Sequence, residues 1–249
     1  MDRVAFSIFG LDIMWYGILI ACGILMAILV SSKEARRLGY QEGQVTDICL
    51  FAIPLGIVGA RLYYVAFNWS QYAGDLREII NIRGGGLAIH GGILAGILTV
   101  WVFTRIKKLE FFRTADILVL GLPMAQAIGR WGNFINGEAH GGPTNLPWAI
   151  LVEGQSVHPT FLYESVWDWM IFVYIFMIRK NKKYEGQLLV DYIFLYSLGR
   201  FFIEGLRTDS LMLGPIKMAQ LISIVGIGIA LVARYFLLKK KAYKENTGK

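Results

Sequence analysis

Charged residues are scarce in this chain of 249 residues. They make up 17% of the sequence, whereas soluble globular domains contain about 25%. Hydrophobic residues reach 55%, and the mean hydropathy is +0.51. This composition argues against an ordinary soluble enzyme and predicts an integral membrane protein that crosses the bilayer several times.

Cysteine and histidine are also rare. The chain has two cysteines, Cys22 and Cys49, and three histidines. No disulfide framework and no metal-ligand spacing can be recognised in the sequence. Both cysteines lie in or beside apolar runs, which is typical of small packing residues. We therefore expect no metal and no cofactor.

Long hydrophobic runs, in contrast, are plentiful. Seven apolar segments follow one another, and most approach the roughly 20 residues that a membrane-spanning helix needs. They cover about 13–30, 46–67, 87–104, 114–129, 159–178, 188–204 and 216–238, with longer outer loops at 68–86 and 130–158. The first run lacks a cleavage site, so we interpret it as a retained span. We expect an all-α polytopic membrane protein with a single transmembrane domain over 1–249.

Lysine and arginine are distributed unevenly along the chain. Sixteen of these 25 residues fall in four segments, which are 31–45, 105–113, 179–187 and the tail after 238. In a chain with seven spans, all four segments lie on one side of the membrane. The positive-inside rule makes that side cytoplasmic, so the N-terminus is predicted outside and the C-terminus inside. The net charge of +7 then reflects topology, and no nucleic-acid partner is expected.

Polar residues of six predicted spans share one depth in the bilayer. At about 1.5 Å of rise per residue, Arg61, Arg130 and Arg200 lie about 18–24 Å above the inner ends of their spans. The segment GRWGNFINGEAHGG at 129–142 forms the densest part of this pattern. The residues predicted in the outer half are Tyr16, Arg61, His90, Arg130, Tyr163, Glu164, Arg200 and Glu204.

Charged side chains at this depth are costly, so they usually face a bundle interior and are paired or functional. Arg200 and Glu204 have the i,i+4 spacing of a structural ion pair. The whole set nevertheless contains more arginines than carboxylates. It consists of Arg61, Arg130, Arg200 and Arg207 against Glu138, Glu164 and Glu204. Because guanidinium groups bind phosphate in a planar, bidentate manner, the pattern predicts a phospholipid headgroup site that opens toward the outer face.

Five motifs resemble those of the bacterial prolipoprotein diacylglyceryl transferases. GRWGNFINGE at 129–138 is similar to the family signature G-R-x-G-N-F-x-N-G-E. The others are MWYG at 14–17, GLAIHGGILAG at 86–96, HPTFLYES at 158–165 and YSLGRFFIEGLR at 196–207. The resemblance implies transfer of the diacylglyceryl group of phosphatidylglycerol to the lipobox cysteine of a prolipoprotein, with release of glycerol phosphate. It also implies a location in the bacterial cytoplasmic membrane.

The resemblance implies roles for the residues at matching positions. Arg130 and Arg200 are expected to hold the lipid phosphate, and His90, Tyr16 and Tyr196 complete the expected catalytic set. The expected substrate-binding set contains both arginines together with Asn133, Glu138, Gly141, Glu204 and Arg207. The pattern of polar residues adds Arg61 and Asn136. His140 is given no catalytic role.

The acceptor of the thiol proton stays open at this point. His90 is the natural candidate because imidazole titrates near neutral pH. Alternatively, the arginines lower the pKa of the substrate thiol electrostatically, and His90 has a structural role in its IHGG turn. Tyr16 and Tyr196 either orient the ester or belong to an interfacial aromatic belt.

Three other functions compete with the transferase. A transporter or channel also places Arg, Glu and His within the membrane. It predicts polar residues through the full depth and often an internal repeat, neither of which is evident here. An intramembrane hydrolase requires a nucleophile paired with a base, and the sequence has no G-x-S-x-G motif. A lipid-binding scaffold without catalysis is the third alternative.

Overall fold

The computed structural model describes residues 2–74, 76–82 and 85–247. Positions 75, 83 and 84 of the predicted outer loop 68–86, the side chain of Lys244 and the residue Lys249 of the basic tail lie outside the described residues. The described helices are α1 Trp15–Arg37, α2 Gln44–Phe67, α3 Trp69–Tyr72, α4 Leu76–Ile80, α5 Ile89–Ile106, α6 Phe111–Asn136, α7 Thr160–Ile178, α8 Gln187–Leu206 and α9 Met218–Thr247. The antiparallel hairpins are β1 Val4–Ile8 with β2 Leu11–Met14, β3 Ile150–Val152 with β4 Gln155–Val157, and β5 Met212–Leu213 with β6 Ile216–Lys217.

Six of these helices are long and apolar enough to cross a membrane. They are α1, α2, α5, α6, α7 and the part of α9 up to Tyr243. This confirms a mostly helical, polytopic membrane protein. Helix α8 occupies the position of the sixth predicted span, but it contains Asp191, Arg200 and Glu204 and is not among these six candidate spans. The three short hairpins were not expected in an all-α protein.

One error in the predicted boundaries concerns the end of α6. This helix continues to Asn136, so the prediction that an outer loop begins at 130 is wrong. The apolar run ends at 129, but the helix continues through Gly132 and ends only before Gly137, which adopts a left-handed φ of 73°. A glycine in this conformation is a common helix terminator. Arg130, Asn133 and Asn136 therefore lie on the last turns of a helix.

The ends of two other helices differ from the prediction by as much or more. Helix α1 ends at Arg37 instead of 30, and α9 extends to Thr247 instead of 238. Several basic residues assigned to cytoplasmic segments therefore lie on helical ends. Helices α2, α5, α7 and α8 agree with the predicted spans to within a few residues. Pro123 is buried inside α6 and does not end that helix.

The first compact unit comprises residues 1–31 and 116–249. In it, α8 packs against both α7 and α9. An apolar cluster lies where α6 and α8 begin and α7 ends. It consists of Val119, Leu120, Ile171, Ile175, Leu188 and Tyr192. The charged ends of the same helices lie at the opposite end of this bundle, so the packing separates an apolar end from a polar one.

A buried polar contact also lies at the apolar end of the bundle. The buried Asp116 carboxylate accepts hydrogen bonds from the backbone N–H groups of Gly186 at 2.8 Å and Leu189 at 3.0 Å, and from Lys182 Nζ at 2.9 Å. Burial alone would lower the pKa of Lys182, but the Asp116 and Glu185 carboxylates raise it above its usual value. The contact connects the start of α6 to the α7–α8 connection through a charged lysine.

The second compact unit comprises residues 32–115, in which α2 packs against α5. The two helices approach closely at glycines. A Cβ atom on Gly91 would overlap the backbone oxygen of Gly59 and the Cβ of Tyr63, whereas a Cβ on Gly96 would have no atom within 4 Å. Small residues at this contact let the two backbones approach each other, as is common between membrane helices.

Gly91→Ala should therefore destabilise the protein, and Gly96→Ala on the same helix serves as the matched control. Forcing a methyl group into a packed contact costs about 1–3 kcal/mol. We expect the thermal unfolding temperature in detergent to fall for Gly91→Ala and to stay unchanged or rise slightly for Gly96→Ala. Equal unfolding temperatures for the two variants would contradict the proposed close approach of α2 and α5.

Candidate active site

The Glu164 carboxylate on α7 is the centre of a cluster of buried ion pairs. Its Oε2 atom lies 2.7 Å from Arg130 Nη1 on α6. Its Oε1 atom contacts Arg200 Nη1 on α8 and lies 3.7 Å from Arg207 Nη1 at the end of α8. The Glu164 side chain is only 4% exposed. One buried carboxylate thus holds together arginines from two neighbouring helices.

Further carboxylates surround the same arginines. Arg200 Nη2 lies 2.6 Å from Glu204 Oε2, which confirms the i,i+4 ion pair expected from the sequence. Arg207 forms a bidentate pair with Asp209, with Nε donating to Oδ1 at 3.0 Å and Nη2 to Oδ2 at 2.7 Å. The Arg207 hydrogen bonds hold the pKa of Asp209 below its usual value.

A small cavity lies beneath Arg130. Asp168, one helical turn from Glu164, approaches Arg130 Nε to 3.9 Å, and the Tyr196 hydroxyl lies 3.5 Å from Arg130 Nη2. The cavity is lined by Arg130, Glu164, Trp167, Asp168, Tyr196, Arg200 and Ile203. The structure therefore brings Arg130, Arg200 and Tyr196 of the predicted catalytic set into one place.

The charge balance of this cluster differs from the expected excess of arginine. Asp168 and Asp209 were missed by the sequence analysis, and Arg61 belongs to the other compact unit. The cluster contains the arginines 130, 200 and 207 and the acidic residues 164, 168, 204 and 209. No sequence signal identified the two aspartates as partners, although the i,i+4 spacing of 164 and 168 places both on one face of α7.

Several atoms in the cluster keep unused hydrogen-bonding capacity. Within the described residues, Glu164 Oε2, Asp168 Oδ2 and Glu204 Oε2 are buried without a hydrogen bond of acceptable geometry, although arginine nitrogens lie within ion-pairing distance. The side chains of Arg130 and Arg200 are 19% and 21% exposed. Each guanidinium has five N–H donors, so both arginines can bind a further anion without losing every present partner.

Gly141 connects the ends of three helices. Its N–H donates to His158 O at 2.8 Å, and the N–H of Gly142 donates to Leu206 O at 2.9 Å. A Cβ on Gly141 would lie 2.7 Å from His158 Cβ and 2.8 Å from Leu206 O. Gly141 was predicted to bind substrate, but this geometry explains its identity by close packing beside the arginine cluster.

The Tyr16 ring packs against α6 at Gly132, within the segment GRWGNFINGE. A Cβ on Gly132 would lie 2.5 Å from Tyr16 Cδ2, so the glycine makes room for this ring. Asn133 O accepts the N–H of Glu138 at 2.9 Å and helps to end the helix. Asn136 Nδ2 lies 3.4 Å from Glu138 Oε1, and Glu138 is exposed. Within the part of the chain that the structure describes, no ion pair joins Glu138 to an arginine, in contrast to Glu164 and Glu204.

Arg61 and His90 lie in the second unit. The guanidinium of Arg61 donates hydrogen bonds to the backbone oxygens of Glu78, Ile79, Gly85 and Gly86 at 2.5–3.0 Å and also stacks near Tyr72. These hydrogen bonds use four of the five N–H donors of the guanidinium and favour a structural role for Arg61. His90 is exposed in the first turn of α5, beside the Tyr63 ring.

The fold and this cluster define a polytopic membrane protein with an ion-paired arginine site. Among the described residues, no group of three or more His, Cys, Asp or Glu side chains is arranged to hold a metal ion. The sequence profile of the prolipoprotein diacylglyceryl transferase family matches residues 3–236. The chain therefore belongs to this enzyme family, which confirms the resemblance noted in its motifs.

Individual relatives agree with this assignment. The chain is 62% identical over 240 residues to the phosphatidylglycerol–prolipoprotein diacylglyceryl transferase of Clostridioides difficile, covering 96% of this chain and 97% of that protein. It is 52% identical over 249 residues to the enzyme of the same name from Finegoldia magna, covering 99% of each. The corresponding protein of Clostridium kluyveri is 46% identical over 241 residues, with 93% and 94% covered.

Glu164→Gln should disrupt the site and the bundle together. The amide cannot compensate the charges of the arginines, and removing one partner of a buried pair typically costs about 3–5 kcal/mol. We expect a lower unfolding temperature and a strong loss of transfer activity, both measured in detergent. Glu153→Gln in the exposed turn of the β3–β4 hairpin is the matched control and should leave both unchanged. An unaltered unfolding temperature for Glu164→Gln would contradict the central role of this carboxylate.

Asp209 makes the stability of the Arg207 pair depend on pH. Because its pKa is lower in the folded than in the unfolded protein, the pair stabilises the fold fully above the usual Asp value of about 4. This contribution disappears as the pH falls through the folded-state pKa. Asp209→Asn should therefore lower the unfolding temperature at pH 7, and this effect should shrink as the pH falls below about 4. A difference that persists in acid would exclude the ionised pair as its cause.

Proposed function

We propose that this membrane protein transfers the diacylglyceryl group of phosphatidylglycerol to the cysteine thiol in the lipobox of a prolipoprotein signal peptide, and that it does so from the outer leaflet of the bacterial cytoplasmic membrane. Its family consists of transferases, and the similar relatives carry the name of this reaction. The single observation that supports the site assignment is the convergence of Arg130, Arg200 and Arg207 on Glu164 beside a cavity.

The arginines are proposed to hold the phosphodiester of the lipid. A phosphate offers several oxygens to guanidinium groups whose side chains are already ordered by carboxylates. This order avoids much of the entropic cost of fixing long side chains when the lipid binds. The hydroxyl groups of the glycerol headgroup can also donate to the buried carboxylate oxygens of Glu164 and Glu204 that lack well-formed hydrogen bonds.

The reaction is a displacement at a glycerol carbon. The substrate thiolate attacks the carbon of the diacylglyceryl group that carries the phosphodiester. A C–S bond forms, and the C–O bond between this carbon and the phosphate breaks. Negative charge grows on the leaving glycerol phosphate, where fixed arginines in a water-poor site stabilise it. The enzyme's own cysteines take no part, since the attacking sulfur belongs to the prolipoprotein.

The thiol proton is proposed to pass to the exposed imidazole of His90, which would act as the general base. Tyr196, with its hydroxyl beside Arg130, is proposed to orient the phosphate ester. Tyr16 is proposed to shape the same site through its packing on Gly132. Asn133, Asn136, Glu138 and Gly141 are proposed to support the headgroup from the end of α6 and the segment that follows it.

The topology is proposed to include α8 as a seventh span within one transmembrane domain. Its 20 residues extend over about 30 Å, the thickness of the bilayer core. Two of its charged residues, Arg200 and Glu204, are paired within the bundle, which removes the usual objection to their depth. With seven spans, the positions of the basic segments support an N-terminus outside and a C-terminus in the cytoplasm.

Arg130→Ala should reduce transfer by about 100-fold or more, because it removes charge stabilisation of the leaving group. The assay uses purified protein, phosphatidylglycerol and a lipobox peptide, and it measures release of glycerol phosphate together with thioether formation. Arg130→Lys keeps the charge but not the bidentate geometry and should recover only part of the rate. Arg105→Ala, which changes an exposed arginine near the end of α5, is the matched control and should retain full activity.

The same assay tests His90. His90→Ala should lower the rate by about 100-fold at pH 7 if imidazole accepts the proton. Full activity of this variant would assign proton removal to the arginines or to the solvent. A folded wild-type protein that transfers nothing from any of several phospholipids would refute the proposed function as a whole.

A further inference from the structure

The β1–β2 hairpin ends in an unusual turn. Its two turn residues, Phe9 and Gly10, both have positive φ, at 51° and 77°. Asparagine and aspartate followed by glycine are preferred in such turns, whereas a bulky side chain is strained in this conformation. Phe9 is also fully exposed in the protein. The position therefore combines an unfavourable backbone conformation with an apolar side chain that no described residue covers.

A second hairpin provides an internal comparison. The β3–β4 turn has the same length and the same backbone conformation, with φ of 49° at Glu153 and 82° at Gly154. Its first turn residue is charged, so the turn itself imposes no requirement for an aromatic side chain. The phenylalanine at position 9 needs another explanation.

The faces of the β1–β2 hairpin differ in polarity. Phe6 pairs with Ile13 and Ile8 with Leu11, and these pairs lie on one face. Ser7 pairs with Asp12 on the other face, where their side chains form a hydrogen bond of 2.5 Å. Phe6, Ile8 and Leu11 are about half exposed or more. The hairpin is amphipathic, with an apolar tip and one apolar face that the described chain leaves uncovered.

The hairpin is joined directly to a membrane helix. Strand β2 ends at Met14, and α1, a candidate span, begins at Trp15. The N–H of Trp15 donates to Arg3 O at 3.1 Å, which ties the open end of the hairpin to the first residue of the helix. A five-residue strand reaches only about 17 Å, so the apolar face is held at the bilayer boundary. It continues the exposed apolar surface that begins with Trp15.

From these observations we propose that the β1–β2 hairpin is a membrane-interface anchor, in which Phe9 and the face formed by Phe6, Ile8 and Leu11 insert among the lipids of the leaflet where α1 begins. The polar face with Ser7 and Asp12 is directed toward water. Aromatic side chains are favoured at this depth of a bilayer. The anchor serves lipid contact and is independent of the arginine cluster.

Spin-label accessibility tests the anchor without depending on transfer activity. In a background with Cys22→Ala and Cys49→Ala, a nitroxide is attached through Phe9→Cys or, as the matched control, Glu153→Cys. The proteins are placed in vesicles of phosphatidylglycerol and phosphatidylcholine. Collision rates with oxygen, which concentrates in lipid, are compared with those for a water-soluble nickel chelate. We expect oxygen to dominate at position 9 and the nickel chelate at position 153.

Two results would overturn the anchor. One is preferential access of the nickel chelate to position 9, as at position 153. The other is exposure of position 9 to water that ends only when a lipobox peptide is added, which would assign the apolar face to the protein substrate. Leu11→Cys provides a second label site if Phe9→Cys alters the turn. Circular dichroism and the unfolding temperature establish that each labelled protein is folded.

Discussion

The structure of the site depends on the cost of burying the Glu164 carboxylate. An ionised carboxyl group inside an apolar bundle is tolerated only if it is paired and hydrogen-bonded. Arg130 and Arg200 supply that compensation from the helices on either side, and Arg207 approaches from the end of α8. The same contacts order the guanidinium groups before any lipid arrives. Stability and readiness for an anion therefore have one physical origin.

Two arginines illustrate how similar residues acquire different uses. Arg61 and Arg130 are both intramembrane arginines in the sequence, and both were expected to bind substrate. Arg61 donates hydrogen bonds to the backbone oxygens of Glu78, Ile79, Gly85 and Gly86, so most of its N–H groups are already used. Arg130 faces carboxylate side chains and a cavity. The difference comes from the neighbours and not from depth in the membrane.

The helices themselves could be predicted because apolar length is a strong signal for a membrane span. The family could also be recognised because GRWGNFINGE and the other motifs are long and specific. Contacts between segments that are distant in the sequence were harder to predict. Asp168 looks like any polar residue in an apolar helix until α6 is packed against it, and the end of α6 was misplaced because hydrophobicity stops at 129 while the backbone remains helical to Asn136.

The polarity of α8 has a consequence for how the protein enters its membrane. An isolated charged side chain near the centre of a helix opposes insertion by about 3 kcal/mol. In the proposed seven-span topology, α8 therefore inserts poorly by itself, whereas Glu164 on the preceding α7 neutralises its arginine. The connection at 179–186 is short enough for α7 and α8 to enter as a helical hairpin. Arg130 precedes both helices in the chain, so every partner of Glu164 on α6 is already synthesised when α7 and α8 emerge.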